Sequence, residues 1–204
     1  MELITMCDAY GFDGIDVDWE FPRAGKESSR QYEDLMLDLA DRLHSKGKIL
    51  TCAVCSGVAA KGEILPDGEG QTKKVLGACD FVNIMAYDGG DGPDHSTYDF
   101  AVACAEYWRD TREIPGEKLN LGLPFYGRPS WSTYEKLIQL DQTASERDIF
   151  LLEGQEVFYN GIPTIQKKTR YAKENLGGVM IWEITQDTQD DDRSLMRAIG
   201  DTLR

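Results

Sequence analysis

Apolar positions along this chain follow two alternating patterns: short, mostly apolar runs, and the three- and four-residue spacing of amphipathic helices. GFDGIDVDWEF, KILTCAV, DFVNIMAYD, KLNLGLPFYG and GGVMIWEI read as strands. Between the first two, residues 29–45 predict a helix with Tyr32, Leu35, Met36, Leu39 and Leu43 on one face and Gly47 as its stop. QTKKVLGAC predicts a short helix or turn, and residues 98–112, 132–140, 164–175 and 194–203 predict further helices.

Alternation of strand and helix implies right-handed crossovers and a parallel sheet, hence an α/β fold. Several strands stay apolar until their C-terminal ends, where Tyr87 and Asp88, Tyr126 and Arg128, and Glu183 stand. That distribution fits a (β/α) barrel, which works at the C-terminal ends of its strands. A doubly wound sheet shares the alternation, but the chain has no G-x-G-x-x-G or Walker A sequence.

At 204 residues, 41% hydrophobic and 28% charged, the chain reads as one ordinary globular domain, residues 1–204. Its net charge of −14 sets it against phosphate backbones and anionic lipid, so neither nucleic acid nor a membrane surface is an expected partner. A neutral polymer such as a polysaccharide is indifferent to that field. No apolar run is long enough to span a bilayer, and MELITMCDAYGF lacks the pattern of a signal peptide. The five cysteines, Cys7, Cys52, Cys55, Cys79 and Cys104, are odd in number and scattered, which argues against a disulfide framework. Cys52 and Cys55 form a C-x-x-C, but inside a strand with no second pair and no nearby His; they read as buried thiols. His44 and His95 fall in no motif and read as surface or loop residues.

The informative segment is Asp13-Gly14-Ile15-Asp16-Val17-Asp18-Trp19-Glu20. Residues two apart on a strand share a face, so Asp16, Asp18 and Glu20 point one way and Ile15, Val17 and Trp19 the other. Carboxylates about 7 Å apart on a partly buried face cannot all ionise cheaply. One of them then holds a proton near neutral pH, as a general acid must. Glu20, nearest the open end, is best placed to reach a substrate bond. Two other readings stay open on these residues alone: a hard-cation site, although a row on one strand does not converge as metal ligands do, and a plain acidic edge strand.

D-G-I-D-V-D-W-E, with Phe21-Pro22 after it, resembles the D-x-x-D-x-D-x-E signature of glycoside hydrolase family 18, in its chitinase branch. The 81–88 run FVNIMAYD is similar to the family's M-x-Y-D strand, LGLPFYGR at 121–128 to its G-x-P-x-Y-G-R strand, and GGVMIWE at 177–183 to its last strand. The resemblance implies a TIM (β/α)8 barrel that hydrolyses β-1,4-N-acetylglucosamine linkages in chitin or chitooligosaccharides, with retention and without a cofactor or metal. It implies Glu20 as general acid, Asp18 orienting the substrate's acetamido group, and Asp16 sharing a proton with Asp18. It gives Tyr87 a hydrogen bond to the acetamido oxygen and makes Trp182 the floor under the sugar. Met85, Asp88, Tyr126 and Arg128 would line the same subsite, with Asp88 paired to Arg128, and Asp13 would support the strand. An endo-β-N-acetylglucosaminidase acting on N-glycans or peptidoglycan, and a non-catalytic sugar-binding fragment, are the competing functions.

In that family the acid strand is the fourth of eight, so the chain is expected to hold a partial barrel, strands four to eight, with the three N-terminal β/α units absent. Two exposed sheet edges would then invite self-association. The short stretch between Arg128 and Gly177 leaves room for little beyond a loop and a helix, so no α+β insertion domain is expected and the cleft should be open, favouring endo-type cutting. Because chitin lies outside cells, the full-length protein is expected to be secreted.

Overall fold

The computed structural model describes residues 2–204. In chain order it runs α1 (Glu2–Ala9), β1 (Gly14–Val17), α2 (Glu27–His44), β2 (Ile49–Val54), α3 (Lys73–Ala78), β3 (Phe81–Ile84), α4 (Tyr98–Glu106) and β4 (Leu119–Pro124). Then come the short β5 (Tyr126–Gly127) and β6 (Ser132–Thr133), α5 (Tyr134–Leu140), β7 (Ile149–Leu152), β8 (Gln155–Phe158), α6 (Ile162–Asn175), β9 (Gly178–Trp182) and α7 (Leu195–Leu203).

The main sheet has five strands in the order β1-β2-β3-β4-β9, every neighbouring pair parallel. Each new strand is added on the same side of the last. A doubly wound sheet reverses direction at a switch point, and this one does not; the order is that of a barrel wall. The five expected strands are all present, as are the helices between them, with ends shifted by a few residues.

Strand alternation divides the side chains into two layers. On β2, Leu50, Cys52 and Val54 are buried against the helices, whereas Thr51 and Ala53 face the concave side. On β3 and β4, Val82, Ile84, Leu119, Leu121 and Leu123 join the outer layer. Helix α2 meets it with Tyr32, Met36, Leu39, Ala40 and Leu43, the three- and four-residue spacing that the sequence shows. Burying one such side chain is worth about 1.5–3 kcal/mol, and this layer carries most of the core. All five cysteines are free and buried, and Cys52 Sγ lies 3.6 Å from Cys79 Sγ.

Two expectations need correction. The segment after Arg128 holds more than a loop and a helix: β6 pairs back with β5 just before Arg128, β7 pairs with β8 beyond α5, and α6 follows. The β7–β8 turn is Glu153-Gly154, both in the left-handed region at φ 51° and 85°. His95 is a loop residue by sequence but not a surface one; it is 1% exposed, because the loop carrying it folds under the sheet's C-terminal rim against Tyr126. His44 is exposed and pairs with Asp80. No helix among the described residues is long and apolar enough to cross a membrane.

Candidate active site

The C-terminal ends of β1, β3 and β9 converge on the concave side of the sheet. A cavity of about 310 Å³ there is lined by Asp16, Asp18, Met85, Tyr87 and Trp182. A second, of about 260 Å³, is lined by Glu20, Phe21, Met85, Tyr87 and Asp88. Met85 and Tyr87 border both, so the two form adjoining parts of one cleft with the acid strand along its side. The three carboxyl groups share a face as the alternation requires, although regular pairing ends at Val17 and Asp18 to Glu20 continue beyond the sheet.

Electrostatics separate these carboxyls. Partial burial raises Asp18 above the ordinary carboxylate value, and the charge of Asp16 raises it further. Glu20 is raised by partial burial, by the charges of Asp18 and Asp88, and by a hydrogen bond with Asp18. That bond acts to lower Asp18 and to raise Glu20, so it sets the two carboxyls apart. A carboxyl raised above its ordinary value beside a second carboxyl is the arrangement on which general acid catalysis draws.

Tyr87 is buried to 8% exposure, and its hydroxyl is held protonated by burial first, then by the charges of Asp18, Asp88 and Glu20. It stays a donor at any working pH. Its ring occupies the space over Gly122 on β4, where a Cβ would come 2.9 Å from Tyr87 Cε1 and 2.2 Å from the Ile84 carbonyl oxygen. Trp182 ends β9 with 49% of its surface open, an apolar face that no core contact needs. Its carbonyl accepts from Phe125 N–H at 2.8 Å, tying the rim of β9 to that of β4.

Asp88 follows Tyr87 in a left-handed conformation, φ 56°, which turns its carboxylate back into the rim. Tyr126 Oη donates to Asp88 Oδ2 at 2.7 Å, and His95 Nδ1 and Arg128 Nε lie 3.1 and 3.6 Å from Oδ1. Burial acts to raise this carboxyl, but the close contact with His95, the hydrogen bond from Tyr126 and the positive charge of Arg128 hold it below its ordinary value. The expected Asp88–Arg128 pair is therefore present but shared, since Arg128 Nη2 also binds Asp91. Tyr126 and Arg128 line neither cavity and reach the cleft through Asp88. Asp13 has an exposed side chain, and its carbonyl accepts from Ile49 N–H at 2.9 Å.

Sequence reasoning missed two groups. His95 lies in a run of Gly, Asp and Pro that reads only as loop, and its Nε2 reaches the Tyr126 carbonyl at 3.2 Å. Thr51, Asn83 and Asn120 form a polar row beside Asp16; the signal was a polar residue facing inward on each of three otherwise apolar strands. No cluster of His, Cys, Asp or Glu among the described residues has the shape to hold a metal ion.

Comparison with known proteins gives these positions a context. The family model described as "Glycosyl hydrolases family 18" matches residues 1–187. Mouse chitotriosidase-1 is 28% identical over 87% of the chain and 50% of its own length. The structure superposes on the family 18 chitinase ChiB from the chitin utilization locus of Flavobacterium johnsoniae with a TM-score of 0.80 and 32% identity, over 98% of this chain and 62% of that one. A chitinase from Bacteroides thetaiotaomicron gives 0.74 and 28%, over 99% and 67%. The chain spans about half the length of curated relatives that it matches.

Proposed function

Because the chain belongs to family 18 of the glycosyl hydrolases, we propose that its cleft serves the hydrolysis of β-1,4-N-acetylglucosamine linkages in chitin or chitooligosaccharides. The observation that carries the reading is the row of Asp16, Asp18 and Glu20 along a cleft that also holds Tyr87 and Trp182, with Glu20 raised above its ordinary value.

In this reading Glu20 gives its proton to the glycosidic oxygen and the C1–O bond breaks. The acetamido oxygen of the same sugar attacks C1 from the opposite face and forms a cyclic oxazolinium. Asp18 accepts the acetamido N–H and stabilises the positive charge, as a nearby carboxylate does for any developing cation. Tyr87 donates to the acetamido oxygen and holds it in line. Water then attacks C1 as the bond between C1 and the acetamido oxygen breaks and the acetamido group is restored; Glu20 takes the water's proton, and the configuration is retained. This is the substrate-assisted exception to the two-carboxylate rule. The apolar face of Trp182 suits the C–H face of a pyranose. Such a substrate is extracellular, so the full-length protein belongs outside the cell.

The test compares wild type with Glu20→Gln on a fluorogenic chitobioside. Loss of the acid should cost about 10²–10⁴-fold in kcat. Near-normal turnover by Glu20→Gln would sink the assignment. Release of sugar from an N-glycopeptide in place of chitobiose would move the substrate to the endo-β-N-acetylglucosaminidase class.

A further inference from the structure

Asp16 belongs to a second row of side chains, which runs sideways across the sheet instead of along β1. Thr51 Oγ1 donates to Asp16 Oδ1 at 2.5 Å, and Asn83 Nδ2 donates to the same oxygen at 2.9 Å. Asn120 Nδ2 in turn donates to Asn83 Oδ1 at 3.0 Å. Strands β1, β2, β3 and β4 each give one member. On β9 the position beside Asn120 is Gly178, where a Cβ would come 3.0 Å from Asn120 Oδ1, so the row reaches the next strand with little room to spare.

The orientation of the row follows from the carboxylate. An ionised Asp only accepts, so Asn83 must present its amide nitrogen to Asp16 and its oxygen to Asn120. Asn120 must then present its nitrogen. Neither amide can flip without setting two oxygens against each other. With two donors on Oδ1, that oxygen has no free lone pair for a proton. Any proton that Asp16 takes must go to Oδ2. The charge of Asp16 reaches Asp18 on its own strand, Cys52 on β2 and Tyr87 after β3.

We propose that Thr51, Asn83 and Asn120 are positioning residues for the acid strand: they pin Oδ1 of Asp16 and leave Oδ2 as the only oxygen through which it exchanges a proton with Asp18. The catalytic consequence rests on the family 18 reading above; the network itself does not. When Asp18 turns towards a substrate's acetamido group, a proton passed between the two aspartates travels one defined route. Without the row, either oxygen can take the proton.

The experiment is a ¹³C-carboxyl NMR titration of Asp18 in the whole chain, for wild type, Thr51→Val, Thr51→Ser and Asn83→Leu, alongside turnover of a fluorogenic chitobioside. In Thr51→Val and Asn83→Leu the Asp18 midpoint should move by about half a pH unit or more, because the Asp16 carboxylate is no longer fixed in place beside it. The kcat should drop about tenfold with KM within about twofold, the size of losing one hydrogen bond to a charged group. Thr51→Ser keeps the hydroxyl and should behave as wild type. If Asn83→Leu does not fold, Asn120→Ala reads the same row one step further out, with a smaller shift in the same direction. An unmoved Asp18 midpoint in folded variants overturns the proposal, and so does a moved midpoint with unchanged kcat. A wild type that cleaves no chitooligosaccharide would instead sink the functional reading, and the titration would still decide the network.

Discussion

His95 Nδ1 stands 3.1 Å from Asp88 Oδ1, and through that contact a buried loop residue sets the rim of the cleft. The loop is itself fixed at both ends. Gly89 N–H donates to the His95 carbonyl, and Thr97, two residues on, caps α4 by accepting from Phe100 N–H. Ser96 between them is gripped by Lys168 of α6, whose Nζ donates to the Ser96 carbonyl, the Ser96 hydroxyl and Asn160 Oδ1 at 2.7–2.8 Å.

Asp88 should therefore stabilise the fold in a pH-dependent way. Its carboxyl is held below the value that it would have unfolded, so its contribution is complete above the ordinary carboxylate range and fades as the pH falls through its folded value. Asp88→Asn should be less stable than wild type at pH 7 and converge with it in strong acid. Urea unfolding of both proteins across that range checks this; a gap that stays constant with pH would assign the loss to packing.

Lys168 should impose a slope of the opposite origin. Complete burial lowers its amine to about 7, against an ordinary lysine value of about 10.4. Between those limits the unfolded chain binds the proton and the folded one does not, so wild-type stability should rise with pH through that window. Lys168→Met removes the slope and leaves Asn160 Oδ1 without its donor, a cost of about 1–3 kcal/mol. The deficit should thus grow as the pH rises from about 7 towards about 10 in thermal or urea unfolding.

Glu20 should titrate above the ordinary range for a carboxyl, in part because of the negative charge of Asp18. Asp18→Asn removes that charge and should lower the Glu20 midpoint. Carbon-13 NMR of Glu20 in both proteins reads this directly, whatever the substrate. A midpoint that rises in the variant would mean that the proton resides on Asp18.

Gly122→Ala should damage the site from behind. The added methyl meets the Ile84 carbonyl and the Tyr87 ring, neither of which can withdraw without shifting β3 or tilting the phenol. Overpacking of this kind costs about 1–3 kcal/mol. A lowered melting temperature together with weakened turnover is expected, and an unchanged variant would mean that β3 and β4 are looser than described.

Most of the architecture was legible because one periodicity governs it. The alternation that marks Ile15, Val17 and Trp19 as inward to the helices also sets Asp16, Asp18 and Glu20 on the cleft side. The β7–β8 hairpin escaped because its turn is Glu-Gly; Asn-Gly or Asp-Gly is the readable form of such a turn, and Glu rarely takes the left-handed conformation that it holds here. His95 escaped for a different reason. Its burial comes from Tyr126, 31 positions away, and from the grip of Lys168 on its neighbour, contacts that no local pattern encodes. The acid strand and the Tyr87 and Trp182 positions were readable residue by residue, whereas the row from Thr51 to Asn120 needed the register between strands.

Sequential strand order makes this cleft tolerant of insertions in one place and brittle in another. Residues added to a connection, such as the stretch that carries the two small hairpins, only lengthen a crossover. A single residue lost within DFVNIMAYD would swap odd for even: Asn83, Met85 and Tyr87 would turn to the helices, and Val82, Ile84 and Ala86 would fill the groove. Grafting and loop-exchange experiments on this scaffold should respect that parity and vary everything between the strands.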